Sequence, residues 1–164
     1  MNRRRLAAEM WRDSVLVVAN QLDIQQVGGP SGELTDADFR RRTLYGRIDR
    51  RQLDEFLALF DYPDPNSHRP QRDETVSALQ KLYLLNHPFV LHNARCLALE
   101  VAAQSDNDAQ RIHIAYELLY GRPPTIEESE LGTAFVSSNS DDQLDAWARY
   151  CQVLLTANEM FYVD

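Results

Sequence analysis

Pro63 and Pro65 stand two residues apart in a polar stretch, Asp61 to Pro88, and neither can continue a helix because proline has no amide hydrogen to donate. Apolar residues recur at helical steps on both sides of them. The chain is therefore constrained to two helical halves joined by a long polar connection, which concentrates polar side chains between the halves and is the first candidate for a site.

In the first half, Ala8, Trp11, Val15, Val18 and Leu22 fall on one stripe and predict a helix from about Leu6 to Asp23. Arg3, Arg4 and Arg5 oppose the dipole of that helix, so they are expected to be solvated or paired with distant acids. The run Val27-Gly28-Gly29-Pro30-Ser31-Gly32 breaks it. With no preceding strand and no following lysine-serine or lysine-threonine pair, these glycines read as a turn rather than a phosphate cradle. Leu53, Phe56, Leu57 and Phe60 predict a compact helix of about three turns that ends before Asp61, with both phenylalanines in the core.

In the second half, Ser77 and Gln80 have the spacing of a capping box, and the buried side of the helix they start is expected to be Leu79, Leu82 and Tyr83, up to about Leu85. Pro88 suits the first turn of the next helix, with Asn86 or His87 near its cap. Val90, Ala94, Leu97 and Val101 mark its stripe to about Gln104. After a break at Ser105 to Asp108, Ile112, Tyr116 and Leu119 form a stripe that Gly121, Pro123 and Pro124 stop. Thr125 and Glu128 form a second capping box before a short helix carrying Leu131 and Phe135. Beyond Ser137 to Asp142, Leu144, Trp147, Cys151 and Leu155 define the last long helix, ending near Asn158, and Phe161, Tyr162 and Val163 are apolar enough to dock on the core. The fold class expected is mainly α: a single-domain helical bundle of about six to seven helices over residues 1–164, with a long central loop. There is room for one short β segment, because Leu44, Gly46 and Ile48 alternate as in a strand, although Leu44 and Ile48 also match one helical turn.

Hydrophobic residues make up 44% of the chain and charged residues 26%, enough apolar content at 164 residues to bury one core. Residues 1–72 carry 12 arginines against 11 acids, and residues 73–164 carry 5 basic residues against 14 acids, so nearly all of the net charge of −8 lies in the second half. A chain of that sign is a poor general partner for nucleic acid, which needs a positive surface. Six arginines (40, 41, 42, 47, 50 and 51) crowd the segment from Asp38 to Arg51, where a solvated or ion-paired basic edge is the expected outcome and binding of an anionic ligand or nucleic acid the alternative. Glu9, Arg12 and Asp13 interrupt what a signal peptide would keep apolar, so no signal peptide is expected in this chain. No apolar run approaches the roughly 18 residues of a membrane span. Other domains of a parent protein, or a second copy in a dimer, are the partners left.

Little chemistry is marked. Cys96 and Cys151 lie outside any CxxC arrangement and read as buried free thiols. His68, His87, His92 and His113 show no zinc spacing. Asp64, Asn66 and His68 alternate like the opening of a calcium loop, but Arg69 occupies the position that needs glycine and Thr75 the position that needs glutamate. No GxSxG elbow occurs. Asp61 and Asp64 could form a carboxylate pair of the glycosidase kind. The candidate binding residues are Asp61, Asp64, Asn66, His68, Arg69 and Asn86, with no catalytic or metal-ligating residue and no cofactor assigned.

Taken in order, several stretches carry a resemblance. They are Arg3-Arg4-Arg5-Leu6 with Arg12-Asp13-Ser14, Gly28-Gly29-Pro30, Arg41-Arg42-Thr43-Leu44-Tyr45, Phe60-Asp61-Tyr62-Pro63-Asp64-Pro65-Asn66, Leu79-Gln80-Lys81-Leu82 with Leu85-Asn86-His87-Pro88-Phe89-Val90, Gly121-Arg122-Pro123-Pro124, and Asn158-Glu159-Met160-Phe161-Tyr162-Val163. Together they resemble a planctomycete-specific domain family: the C-terminal domain of unknown function in large exported proteins that also carry a planctomycete-type cytochrome c region. The resemblance implies export, a periplasmic or external location, and association with haem-bearing regions, although this chain has no haem motif of its own. Where the family usually has Thr-Pro before the Leu-Gln pair, this chain has Ser77-Ala78, which keeps the cap without the proline. The family domain usually begins upstream, so this chain reads as its C-terminal portion, and the Trp11 face is expected to lack a partner.

The functional expectation is a non-catalytic helical interaction or scaffold domain of a larger exported assembly, with the balance against an enzyme. The alternative is a hydrolase acting on complex carbohydrate with acids from the Asp61 to His68 loop. Geometry separates them: convergence of Asp61, Asp64 and His68 in one pocket favours the enzyme, and side chains that only bond the loop itself favour the scaffold.

Overall fold

The computed structural model describes residues 4–36, 38–68, 70–138 and 145–163. Arg3, Arg69 and Leu144 lie outside these residues, and so does most of the Ser137 to Asp142 break. Eight α-helices occur among the described residues: α1 Ala8–Val18, α2 Glu55–Leu59, α3 Ala78–Asn86, α4 Pro88–Gln104, α5 Asp108–Tyr120, α6 Ile126–Ser137, α7 Ala146–Thr156 and α8 Asn158–Phe161.

The long helix α4 is the axis of the bundle. Pro88 occupies its first turn, where the missing amide costs nothing, and His87 caps it by accepting the Phe89 amide at Nδ1, 3.2 Å away. Val90, Ala94, Leu97 and Val101 are buried as the stripe predicts, and α7 lies along them with Ala148, Cys151 and Leu155. Both capping boxes form, Ser77 with Gln80 and Thr125 with Glu128. Gly121 takes the left-handed angle (φ 67°) that closes α5.

The Trp11 face does have a partner, contrary to expectation. Trp11 is fully buried; its ring stacks on Phe161 at 5.1 Å and on Phe60 at 6.0 Å, with Phe56 and Phe89 completing the cluster. The C-terminal residues supply that cover. Strand β2 (Tyr162–Val163) pairs antiparallel with β1 (Arg4–Arg5), and the Leu6 amide donates to the Phe161 carbonyl at 2.7 Å. The short β segment is therefore here and not at Leu44, where a 3-10 turn (Thr43–Tyr45) and a single Gly32–Gly46 bridge stand instead.

Four expectations need correcting. Helix α1 stops at Val18 rather than near Asp23, because Asn20 takes φ 53° and the amides of Asn20 and Gln21 return to the carbonyls of Val17 and Leu16, a Schellman closure. Helix α2 has five residues, capped by Asp54. In α6, Leu131 is exposed and Gly132 is the buried contact, since the missing side chain lets the helix approach Tyr150. In α3 the face is reversed: Gln80 and Leu84 are buried, Tyr83 is half-buried, and Leu79 and Leu82 point to solvent.

Among the described residues, two arginines of the segment from Asp38 to Arg51 form ion pairs, both with acids of the first half of the chain. Arg42 meets Asp13 at 3.3 Å and Arg47 meets Glu33 at 2.9 Å, while buried Arg41 donates to the carbonyls of Gly28 and Pro30. Among the described residues, no helix is long and apolar enough to cross a membrane.

Candidate functional site

Asp61 follows α2 with φ 63°, an angle a residue with a side chain keeps only when its surroundings hold it. Its own carboxylate does the holding. Oδ1 accepts from the Thr75 hydroxyl at 2.7 Å; Oδ2 accepts from the Thr75 amide at 2.9 Å, from Arg5 Nη1 at 3.3 Å and from Gln80 Nε2 at 3.5 Å. Arg5 also donates to the Thr75 carbonyl, and Gln80 to the Leu59 carbonyl at 2.9 Å. The Asp61 carboxylate thus closes the central loop and, with the Leu59 carbonyl, holds the Gln80 side of α3 inward beside buried Leu84, which leaves Leu79, Leu82 and Leu85 facing out.

Asp64 accepts the Asn66 amide at 2.9 Å, an Asx turn, and Asn66 Nδ2 reaches the Arg50 carbonyl at 2.7 Å. Asp61, Asp64 and Asn66 line an open groove of about 460 Å³ together with Arg50, Arg51 and Arg72. Arg72 is bound by both oxygens of Glu9 at 2.8 Å, and those hydrogen bonds raise its pKa above the ordinary guanidinium value. His68 is exposed and does not line the groove. Asn86 lies on α3, its amide donating to the Leu82 carbonyl at 3.0 Å, and Arg69 lies outside the described residues. The structure therefore brings together three of the six candidates.

A catalytic carboxylate needs an oxygen free to meet substrate. Both oxygens of Asp61 are engaged by the fold. No group of three or more histidine, cysteine or acidic residues is placed to hold a metal ion among the described residues. Both cysteines are unpaired, and burial pushes the Cys151 thiol up to about 12, far from a reactive thiolate.

Sequence reasoning missed Arg12. Its guanidinium is buried between the rings of Phe39 and Phe89, at 5.3 and 5.0 Å, and donates to the Phe39 carbonyl at 2.6 Å and to the Thr43 hydroxyl at 3.3 Å. It pins the arginine segment to α1. Burial is the main cause of its lowered pKa.

A family model described as a protein of unknown function (DUF1553) matches residues 1–136. The chain belongs to the DUF1553 family. No curated protein and no solved structure matches it. The DUF1553 match runs into the last turn of α6, and the DUF1553 core described above is completed beyond it by α7, Phe161 and β2.

Proposed function

We propose that this chain is a non-catalytic helical interaction domain of a larger exported protein, of the planctomycete type that carries cytochrome c regions. The observation that supports it most is the reversal of α3. The polar groups of the central loop bind the fold itself, while a helix face of leucines is left to solvent. Such a face serves contact with other domains or copies better than chemistry.

Two measurements test this. Incubation of the purified chain with a panel of polysaccharides is expected to release no product; release that disappears in Asp64→Asn overturns the non-catalytic reading. Lys81 is the chain's single lysine and lies on the exposed side of α3. Amine cross-linking of the longer protein is expected to join it to another domain or another copy, and the absence of any such link from Lys81 overturns the interaction reading.

A further inference from the structure

The groove beside the central loop holds two cations that the fold does not use. Arg50 and Arg51 both line it, both are exposed, and among the described residues neither guanidinium makes an ion pair or a hydrogen bond. The other charges of the lining are engaged. Asp61 is bound by Thr75 and Arg5, Arg72 by Glu9, and neither Asp64 nor Asp73 is free. Asp49, which precedes the arginine pair, accepts the Arg51 amide at 2.8 Å and meets Arg47 at 3.8 Å. The positive charge left over in the groove is that of Arg50 and Arg51.

The backbone under these two side chains is held in place. The bond from the Arg51 amide to Asp49 is an Asx turn, and the chain bends at residues 50–52, so consecutive side chains reach the same groove. In an extended strand they would point to opposite sides. From the central loop, Asn66 Nδ2 donates to the Arg50 carbonyl at 2.7 Å. Asp64 Oδ1 sets Asn66 in turn, accepting its backbone amide at 2.9 Å and its Nδ2 at 3.2 Å. The Asp64-Pro65-Asn66 turn thus fixes the arginine pair from 16 residues away. Leu53, Tyr62, Pro63 and Pro65 give the groove carbon surface beside the charges.

We infer that this groove binds a small organic oxyanion, a carboxylate or phosphate monoester on an apolar body, with Arg50 and Arg51 on the head and the body against Pro63 and Pro65. Guanidinium donors match either head through paired hydrogen bonds. A groove of about 460 Å³ has the volume of a small-molecule site. Because both arginines are exposed, water competes for the head, and a dissociation constant on the order of 1 mM is expected. The groove goes beyond the interaction reading and shares no lining residue with α3.

Titration followed by ¹H–¹⁵N NMR of the arginine Nε groups tests this with benzoate and phenyl phosphate, which carry the two heads on one apolar ring. Saturable shifts at Arg50 and Arg51 are expected with at least one of them, weakening as salt rises. Inorganic phosphate has a head without the body and phenol the body without a charged head, and each is expected to bind at least about fivefold more weakly. Joint Arg50→Ala and Arg51→Ala substitution is expected to abolish saturation. Asn66→Ala keeps both cations but releases the Arg50 carbonyl, and is expected to weaken binding about threefold or more. Arg95→Ala, at an exposed arginine of α4 outside the groove, is expected to leave binding unchanged. All four side chains are exposed, and far-ultraviolet circular dichroism confirms that each variant folds. No saturable shift with either compound up to about 20 mM overturns the site. So does an Arg95→Ala loss as large as that of the arginine pair, or inorganic phosphate binding as tightly as phenyl phosphate. Unchanged binding in Asn66→Ala overturns the positioning role of the Asp64-Pro65-Asn66 turn.

Discussion

Arg122 and Glu159, 37 residues apart, meet through two hydrogen bonds, Nε to Oε1 at 2.6 Å and Nη2 to Oε2 at 2.8 Å. The same guanidinium donates to both oxygens of Glu128 at 2.8 Å and lies over the rings of Tyr116 and Tyr120. Glu128 in turn accepts the Thr125 amide at 2.7 Å to cap α6. One side chain therefore fastens the turn after α5 to the start of α6 and to α8.

The hydrogen bonds from Arg122 hold the Glu128 carboxyl at about 2, against an ordinary 4.5. A depressed carboxylate contributes stability above its unfolded pKa and loses it as pH falls toward the folded value, so this contribution fades between 4.5 and about 2. Arg122→Ala is expected to cost about 1 kcal/mol at neutral pH, since the ion pairs are partly exposed. It is also expected to return the Glu128 titration, followed by carboxyl NMR, toward its ordinary range. Arg122→Lys keeps the charge but loses the two-pronged geometry, so it should fall between. A Glu128 titration unmoved by Arg122→Ala would remove the role assigned to this network.

At Asp61 the loss is larger because several donors are orphaned together. Asp61→Ala leaves the Thr75 amide and hydroxyl without their acceptor, takes from Arg5 one of its two, and puts a Cβ-bearing residue without local hydrogen bonds at φ 63°. The expected cost is about 2–4 kcal/mol in urea unfolding, with faster hydrogen exchange over residues 75–80. Asp61→Asn tolerates the angle and keeps one acceptor, so about half the loss is expected. Equal stability of both variants and the natural chain would mean that the loop is held elsewhere.

These two anchors show what could be read without coordinates. Caps at Ser77, Thr125 and Gly121 and the stripe of α4 depend on residues within one or two turns of each other, and the sequence displays them directly. The direction α3 faces depends on Gln80 reaching the Leu59 carbonyl and Asp61, 21 and 19 residues back. Periodicity alone favours the leucines there, because it weighs apolarity and cannot see a buried partner waiting for an amide. Arg12 was hidden for the same reason: its carbonyl acceptors lie on a loop 27 and 29 residues later. Among the candidate residues, the Asx turn of Asp64 and Asn66 depends on residues two apart, whereas the partners that engage both oxygens of Asp61 lie 14 and more residues away.

Close approach of α6 to α7 rests on Gly132. A methyl group there would lie 2.5 Å from the Tyr150 hydroxyl oxygen and 3.0 Å from the Ile112 methyl. Alanine would otherwise favour the helix by about 1 kcal/mol, yet the overlap is expected to make Gly132→Ala a net destabilisation of about 1–3 kcal/mol by thermal or urea unfolding. Removing the nearest atom with Tyr150→Phe should recover part of that loss in the double variant. Additive effects of the two substitutions would show that the contact is not what limits the packing.

His87 gives the chain an acid-sensitive joint. Its ring stacks on Tyr83 at 4.1 Å, and Nδ1 accepts the Phe89 amide, which a protonated imidazole cannot do. Burial lowers its pKa from 6.5, and the charges of Glu55 and Asp54 only partly oppose the shift. A base with a depressed folded pKa takes up its proton more readily when unfolded. Its contribution is therefore complete above 6.5 and is lost as pH falls from there through the folded value. Melting temperature should decline between about pH 7 and 5 in the natural chain. In His87→Asn, where a neutral side chain still caps the Phe89 amide, this part of the decline is expected to disappear while stability at pH 7 changes by less than about 1 kcal/mol. Imidazole NMR measures the same quantity directly, and a His87 pKa at or above 6.5 would reverse the sign of the argument.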